Sequence, residues 1–433
     1  MRIAIYHGNF ESDAGGGEVA ALRAAKALKE MGHEVDMYTT KVKADVMRQV
    51  CANAGICLTP KLINLINDSA SKIFSILAEK HLLSSIWLIN NYKRNLRLWT
   101  SKINRLSTDY DLIITKQSPM ISYGIDLLPG DVMYFHFPTT LAGLMYIDKY
   151  IPDDNMPLVK LYKKFVVSME FTILYESLCI VSNVTKKIIV GNTWTKENLI
   201  KLNSSFLSVA PEPCKRKLGK MLTYASVTYE PIEYETYATR YNPRLKKNLV
   251  LTVSRYTPGK NLWSIVYIAA KVPNAHFVIA GSTKAASSGK VIGQLESLID
   301  KLRLKNLTLE RDVPKERLVN LYEEAKVYLH PLYAEHFGIA IAEGAAAGAV
   351  PVVYKDGGGW IDIVSRIDQS LGYTNIDEAA AIVRQLLGNE DLWLRLSRRS
   401  VEVAKDFSWD SYKRRLDAAV REAYELKRRS SRS

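Results

Sequence analysis

The sequence predicts an α/β protein of two domains, each built on parallel strands, and three observations carry that expectation. The chain has 433 residues, too many for one hydrophobic core of ordinary size. Apolar runs of strand length alternate with stretches of helical period through both halves, the pattern of βαβ units. The stretch HPLYAEHFGIAIAEGAAAG, residues 330–348, joins the apolar strand VYLHP to the apolar strand AVPVVY through a loop and a helix. That order places a ligand crevice at the carboxyl ends of parallel strands.

Composition narrows the class. Hydrophobic residues make up 47% of the chain and charged residues 24%, which describes a globular protein and excludes a disordered one. The 59 basic and 45 acidic residues leave a formal charge of +14, so anionic surfaces or phosphorylated substrates should be attracted. No basic–aromatic recognition motif supports a nucleic-acid partner. Cys51, Cys57, Cys179 and Cys214 show neither zinc-ligand spacing nor a disulfide framework, so a reducing, cytoplasmic setting is expected. The N-terminus MRIAIYHGNF reads as a first buried strand and not as a signal peptide. No uncharged run approaches the roughly 18 residues that span a bilayer.

Residues 330–348 hold two carboxylates, Glu335 and Glu343, separated by seven residues. Glu335 is expected in a loop, with a helix opening near His336–Gly338 and ending at Gly348, where glycine suits a left-handed C-cap. Ala340, Ala342, Ala345, Ala346 and Ala347 give that helix little bulk, so a sheet or a large ligand can lie close. The free amides near Phe337, Gly338 and Ile339 suit a phosphate. Glu335 can accept from a hexose at the helix mouth and Glu343 from a ribose further along. Read as a bare spacing, the pair is equally two solvated acids on an alanine-rich helix.

In the first half, IAIY is strand one, and AGGGEVAALRAAKALKEMGHEVDMYT supplies a glycine loop, a helix carrying Ala20, Ala21, Ala24, Ala25 and Leu28 at helical spacing, and a second strand. Gly15, Gly17 and Ala20 satisfy a GxGxxA pattern with Asp36 beyond, so a dinucleotide site must be weighed. The glycines lie eight residues past the strand, where a dinucleotide turn is tight. Residues 60–106 alternate apolar and basic positions around Trp87 and Trp99, the composition of a membrane-surface helix pair or of an ordinary core-facing insertion. YDLIITKQS and DVMYFHFP are further strands, the second placing His136 at a carboxyl end before a proline. A lone histidine is more often structural, and its position is what argues for catalysis. CIVSN and KKIIVGN are strand-like, and Thr193 opens a helix with Glu197 as its capping acid. Residues 211–246 lack clear periodicity and are expected to connect the domains.

The second half opens with a strand, NLVLTV, after which Arg255 and Lys260 occupy a short loop before a helix from about Asn261. Two cations delivered to a helix start at a strand end form a diphosphate clamp. HFVIAG is the next strand with a basic, flexible loop behind it, and LTLERDVPKERLVNLYEEAKVYLHP supplies strand, turn, helix and strand. The tail DFSWDSYKRRLDAAVREAYELKRR is an amphipathic helix. The domains are therefore expected at 1–210 and 247–407, with 408–433 as a terminal helix.

The Glu–x7–Glu segment, with the Arg255/Lys260 loop, resembles the family 4 retaining glycosyltransferases of the GT-B fold. The resemblance implies two Rossmann-like domains with parallel sheets facing across a cleft, and a C-terminal helix crossing back to the N-terminal, acceptor-side domain. AGGGE, HFPTT, GNTWTKENLI, EHFGIAIAEGAAAG and GGGWIDIV are similar to the branch that adds mannose from GDP-mannose to a dolichol-linked oligosaccharide at the cytoplasmic membrane face. Trp360 stands where that family usually has proline. On this likeness Arg255, Lys260, the 337–339 amides, Gly16 and Gly17 stabilise the leaving diphosphate, so no metal ion or other cofactor is expected. Glu335 holds the sugar and Glu343 the ribose, while His136 sits beside the anomeric carbon. Partners expected are the nucleotide sugar, a polyprenyl-linked acceptor and a peripheral anionic membrane surface. Two alternatives remain: the same chemistry on a soluble glycan or small molecule, and a nucleotide-sugar epimerase of the same fold.

Overall fold

The computed structural model describes residues 1–10, 16–63, 98–99, 101–103, 105–116, 129–135, 183–206 and 212–431. His136 and most of residues 60–106, including Trp87, lie outside the described residues. The chain separates into two compact units. One comprises Met1–Gly191, Thr195–Thr228 and Lys413–Ser433, and the other Asn192–Trp194 with Tyr229–Tyr412.

The first unit holds strands β1 (Arg2–His7), β2 (Glu34–Thr39), β3 (Lys61–Leu62), β4 (Leu112–Lys116), β5 (Val132–Phe135), β6 (Lys187–Val190) and β7 (Ser226–Val227). Among the described residues they form one parallel sheet in the order β3-β2-β1-β4-β5-β6-β7. β4, β5 and β6 are buried along their whole length, as parallel strands covered on both faces must be. The Gly16–Glu30 helix buries Ala20, Ala21, Ala24, Ala25 and Leu28, the alanine face read from the sequence. Residues of the terminal helix Trp409–Ser430 tie into this unit, Asp417 to His33 at 2.6 Å and Lys427 to Asp131 at 2.9 Å.

The second unit holds β8 (Lys247–Val253), β9 (His276–Gly281), β10 (Leu307–Arg311), β11 (Ala325–His330), β12 (Val350–Tyr354) and β13 (Gly372–Tyr373). Its parallel order, β10-β9-β8-β11-β12-β13, repeats the doubly wound scheme of the first sheet. All six residues of β11 are buried. Even Lys326 there is accommodated, its ammonium meeting Glu390 at 2.6 Å and lying over the Trp393 ring.

Several expectations are corrected. Residues 212–223 are a helix and Ser226–Val227 adds the last strand to the first sheet, so within 211–246 the passage between units narrows to Thr228–Tyr229. The Lys–Arg-rich 212–223 stretch still has apolar Leu218 and Leu222 four residues apart, enough to bury one face. The flexible loop expected after β9 gives way to a helix over Ser288–Lys301, anchored by buried Val291, Ile292 and Leu295. Asn183 and Val184 are helical and not strand-like. Cys51 and Cys57 are joined as a disulfide, against the reading of no disulfide. Within 60–106, Lys61–Leu62 is a strand, and Trp99 is fully buried with its indole N–H donating to the Pro129 carbonyl, so that tryptophan belongs to the core. No described helix is long and apolar enough to cross a membrane.

Candidate active site

Strand order in the second sheet reverses between β8 and β11, which pair with each other. Loops leaving the carboxyl ends of two such strands splay apart and leave a crevice, so side chains on them converge. The loop after β8 carries Arg255 and Lys260, and the loop after β11 carries Glu335. Lys260 lies on a 3-10 turn, Pro258–Lys260, closed by Asn261 in the left-handed region at φ 50°. Asn261 in turn donates its amide to the Pro331 carbonyl at 3.0 Å, joining the two loops.

Glu335 is the centre of the arrangement. Its Oε2 accepts from Lys260 Nζ at 3.2 Å and from His330 Nε2 at 3.0 Å, and its Oε1 accepts from the His336 amide at 3.1 Å. Burial alone would raise this carboxyl, but the His330 hydrogen bond and the Lys260 charge outweigh it and hold it well below the usual carboxylate range. The loop is held in a particular backbone shape. Ala334 adopts φ 50°, unusual for a residue with a β-carbon, and the Glu335 carbonyl accepts from the amides of Gly358 and Gly359. A side chain at Gly357 would strike the Glu335 carbonyl, its Cβ falling 2.4 Å away, so that glycine is required by close approach.

Next along the chain, Gly338 caps the Ile339–Ala346 helix at φ 87°. The amides of Phe337, Gly338 and Ile339 donate to no group among the described residues, as the first N–H groups of a helix do. At the other end Gly348, φ 78°, and Ala349 donate to the carbonyls of Ala345 and Gly344, a Schellman closure at the predicted C-cap. The helix packs tightly on β11, since a Cβ on Gly344 would sit 2.9 Å from Tyr328 Cγ. Glu343 is half-buried, and the buried Tyr322 hydroxyl donates to its Oε2 at 3.2 Å.

The structure therefore brings Lys260, Glu335, Phe337, Gly338 and Ile339 together at one strand-order reversal. Arg255 shares the Lys260 loop, but its side chain is exposed and makes no hydrogen bond or ion pair among the described residues. Gly16 and Gly17 open the first helix of the other unit. There Lys116, ending β4, donates to the Ala20 carbonyl at 2.6 Å. Asp36 lies inside β2, bonded to Lys61 and Tyr110, and not at a strand's carboxyl end where a ribose would be read. Among the described residues no cluster of three or more His, Cys, Asp or Glu side chains is arranged to hold a metal ion.

Two groups of residues escaped the sequence reading. His330 ends β11 and faces Glu335; its position at a strand's carboxyl end is the same signal that singled out His136. The other is the clip on Asn192–Trp194. Both oxygens of Asp362 accept from the Thr193 amide, at 3.1 and 3.0 Å, so this remote carboxylate caps the helix start in place of Glu197, which is exposed. Burial pushes the Asp362 carboxyl up, while Thr193 and Tyr229 pull the other way. The Trp194 ring stacks on His336, and its indole N–H donates to Asp356 at 3.3 Å.

Comparison with known proteins bears on the family and the fold. The family described as glycosyl transferases group 1 matches residues 233–405. GDP-Man:Man(3)GlcNAc(2)-PP-Dol alpha-1,2-mannosyltransferase of Dictyostelium discoideum is 22% identical over 301 residues, 64% of this chain and 56% of that protein. The enzyme of the same name from Candida albicans is 22% identical over 83% of this chain and 61% of its own length. D-inositol 3-phosphate glycosyltransferase of Mycolicibacterium smegmatis is 30% identical over 38% of this chain and 37% of its own. The chain spans about half the length of the curated relatives it matches. Among solved structures, Anabaena HepE in complex with UDP and glucose superposes with a TM-score of 0.60 at 13% identity, covering 97% of this chain and 99% of that one. WaaG, a glycosyltransferase involved in lipopolysaccharide biosynthesis, gives 0.56 at 15% identity, over 96% and 98%. Residues 233–405 are thus a glycosyltransferase group 1 domain, and the chain has the two-sheet GT-B fold of glycosyltransferases.

Proposed function

We propose that this chain is a retaining glycosyltransferase that moves mannose from GDP-mannose to a polyprenyl- or dolichol-linked oligosaccharide at the cytoplasmic face of a membrane. The observation that carries the reading is the Lys260–Glu335 pair beside the open Phe337–Ile339 amides, at the strand-order reversal of the group 1 domain. On this reading a diphosphate lies against the amides and Lys260, with exposed Arg255 free to swing onto it. Charge that grows on the leaving group meets donors already in place, and the transfer proceeds without a divalent cation. Glu335 accepts from the hexose and Glu343 from the ribose. His136 attends the anomeric carbon. Support for the acceptor comes from the two relatives whose printed name includes a dolichol diphosphate oligosaccharide.

The test is transfer from radiolabelled GDP-mannose to a polyprenyl-diphosphate oligosaccharide by pure protein in EDTA, alongside flotation with anionic liposomes. Salt-sensitive flotation, and loss of lipid transfer on replacing Trp87 and Leu88 with serine, are expected. No transfer without added Mn²⁺ or Mg²⁺ overturns the metal-free step, and no flotation overturns the membrane surface. A second reading, a soluble acceptor, is favoured by the core position of Trp99 and by the inositol-phosphate acceptor in the name of one relative.

A further inference from the structure

We propose that His330 is a positioning residue that fixes the Glu335 carboxylate so that a single acceptor position stays open, and that this position selects one hydroxyl of the transferred sugar. The inference rests on the donor-site reading above. A carboxylate offers roughly four lone-pair positions on its two oxygens. In Glu335, Oε2 is engaged by both Lys260 and His330, and Oε1 by the His336 amide. One position remains, on Oε1. A sugar hydroxyl that reaches it must approach from one direction, so its neighbours on the ring find no second acceptor on this residue.

His330 is suited to hold that frame rigidly. It ends a fully buried strand, where Lys260 stands on a loop. Tyr328 stacks on one face of its ring at 6.2 Å between centroids, and the Tyr373 hydroxyl fixes its backbone by donating to the His330 carbonyl at 2.9 Å. Among the described residues the ring's Nδ1 is buried without a hydrogen-bond partner, and the contact to Glu335 is the one polar contact of the imidazole. A buried nitrogen left unsatisfied calls for an explanation, and the hydrogen bond of the other nitrogen to Glu335 supplies one.

The experiment compares the native protein with His330→Gln, His330→Asn and Glu335→Ala. Glutamine places an N–H near the position of Nε2, and asparagine falls short of it. Each protein is assayed for KM and kcat with GDP-mannose and with derivatives lacking one ring hydroxyl each, and GDP binding is measured by calorimetry. In the native protein one derivative should lose about tenfold or more in kcat/KM. That contrast should fall to about twofold or less in His330→Asn and in Glu335→Ala, and persist in His330→Gln, with GDP affinity unchanged in the two His330 variants. An unchanged contrast in His330→Asn overturns the proposal, as does a loss of GDP binding equal to the loss of sugar discrimination. Should His330→Asn fail to fold, His330→Gln decides, because loss of the contrast there overturns the role. Native protein that binds neither GDP nor GDP-mannose refutes the donor-site reading itself, a result recognisable before any variant is made.

Discussion

Lys260 Nζ stands 3.2 Å from Glu335 Oε2, although 75 residues separate them and each lies on the loop leaving a different strand. The pair is mostly buried, with side-chain exposures of 23% and 14%. Removing the cation therefore does two things at once. It strips a charge from the proposed diphosphate site, and it leaves a largely buried carboxylate with only His330 and the His336 amide. Lys260→Ala should lower kcat roughly a hundredfold with a smaller change in donor affinity, and cost about 2 kcal/mol of stability. Arg255→Ala should lower kcat likewise but leave stability unchanged, since its side chain is exposed. Steady-state kinetics paired with urea titration separates the two effects, and equal losses in kcat and affinity would mean uniform binding.

Glu343→Ala should weaken binding of the donor nucleotide by roughly 1.5–3 kcal/mol, the value of charged hydrogen bonds to a ribose. Tyr322→Phe removes the hydroxyl that donates to Glu343 and should reproduce a smaller part of that loss. Calorimetry with GDP reads both. Unchanged affinity in the Glu343 variant would remove the ribose assignment.

Gly344→Ala should destabilise the second unit by about 1–3 kcal/mol, because its methyl would press 2.9 Å from Tyr328 Cγ on a fully buried ring. The neighbouring Ala345→Gly should cost less, through backbone entropy and a small cavity. Chemical denaturation midpoints order the two variants, and a Gly344→Ala protein as stable as native would show that strand and helix can separate without cost.

Lys246 supplies a pH test. Burial pushes its amine down to about 7 from the ordinary 10.5, against a small opposing pull from Glu323, and its Nζ donates to the Tyr322 carbonyl at 3.0 Å. Between those two values the unfolded chain binds a proton that the folded chain has released, so stability rises with pH across the window. Below about 7 both states hold the proton, and the full cost of burying the charge is present. The stability of the native protein relative to Lys246→Met should therefore increase between pH 7 and pH 9. A difference that stays flat would place this amine in a more hydrated setting.

Much of this site was legible because it is local in sequence. Glu335, the helix mouth and the left-handed Gly348 lie within one short run, where spacing and capping rules apply directly. Lys260 was legible as a cation between a strand and a helix, but its partner was not, since contacts made across strand order carry no spacing signal. His330 escaped for the same reason: its pairing with Glu335 depends on Ala334 turning into the left-handed region, which an alanine does not announce. Asp362 capping Thr193 spans 169 residues and leaves no pattern near either end. The 212–223 helix was missed because lysine, arginine and a glycine hide a two-leucine face. Trp99 was left open between a membrane surface and the core by the basic residues around it, and its indole found a carbonyl in the core.

Both sheets run through one strand order, and in each the first and fourth strands bound the reversal. Repetition of the ladder means that the hydrogen-bonded frame carries no information about which half does which chemistry. In the second sheet the loops at the reversal are 254–262 and 331–338. The second unit is thus a frame with exchangeable inserts. Segments 254–262 and 331–338 could be transplanted together from a relative with another sugar preference, provided that Gly357 and Gly358 come with them, because the Glu335 backbone is hung on that turn. Moving one loop alone would break the Asn261–Pro331 tie and strand Glu335 without its cation.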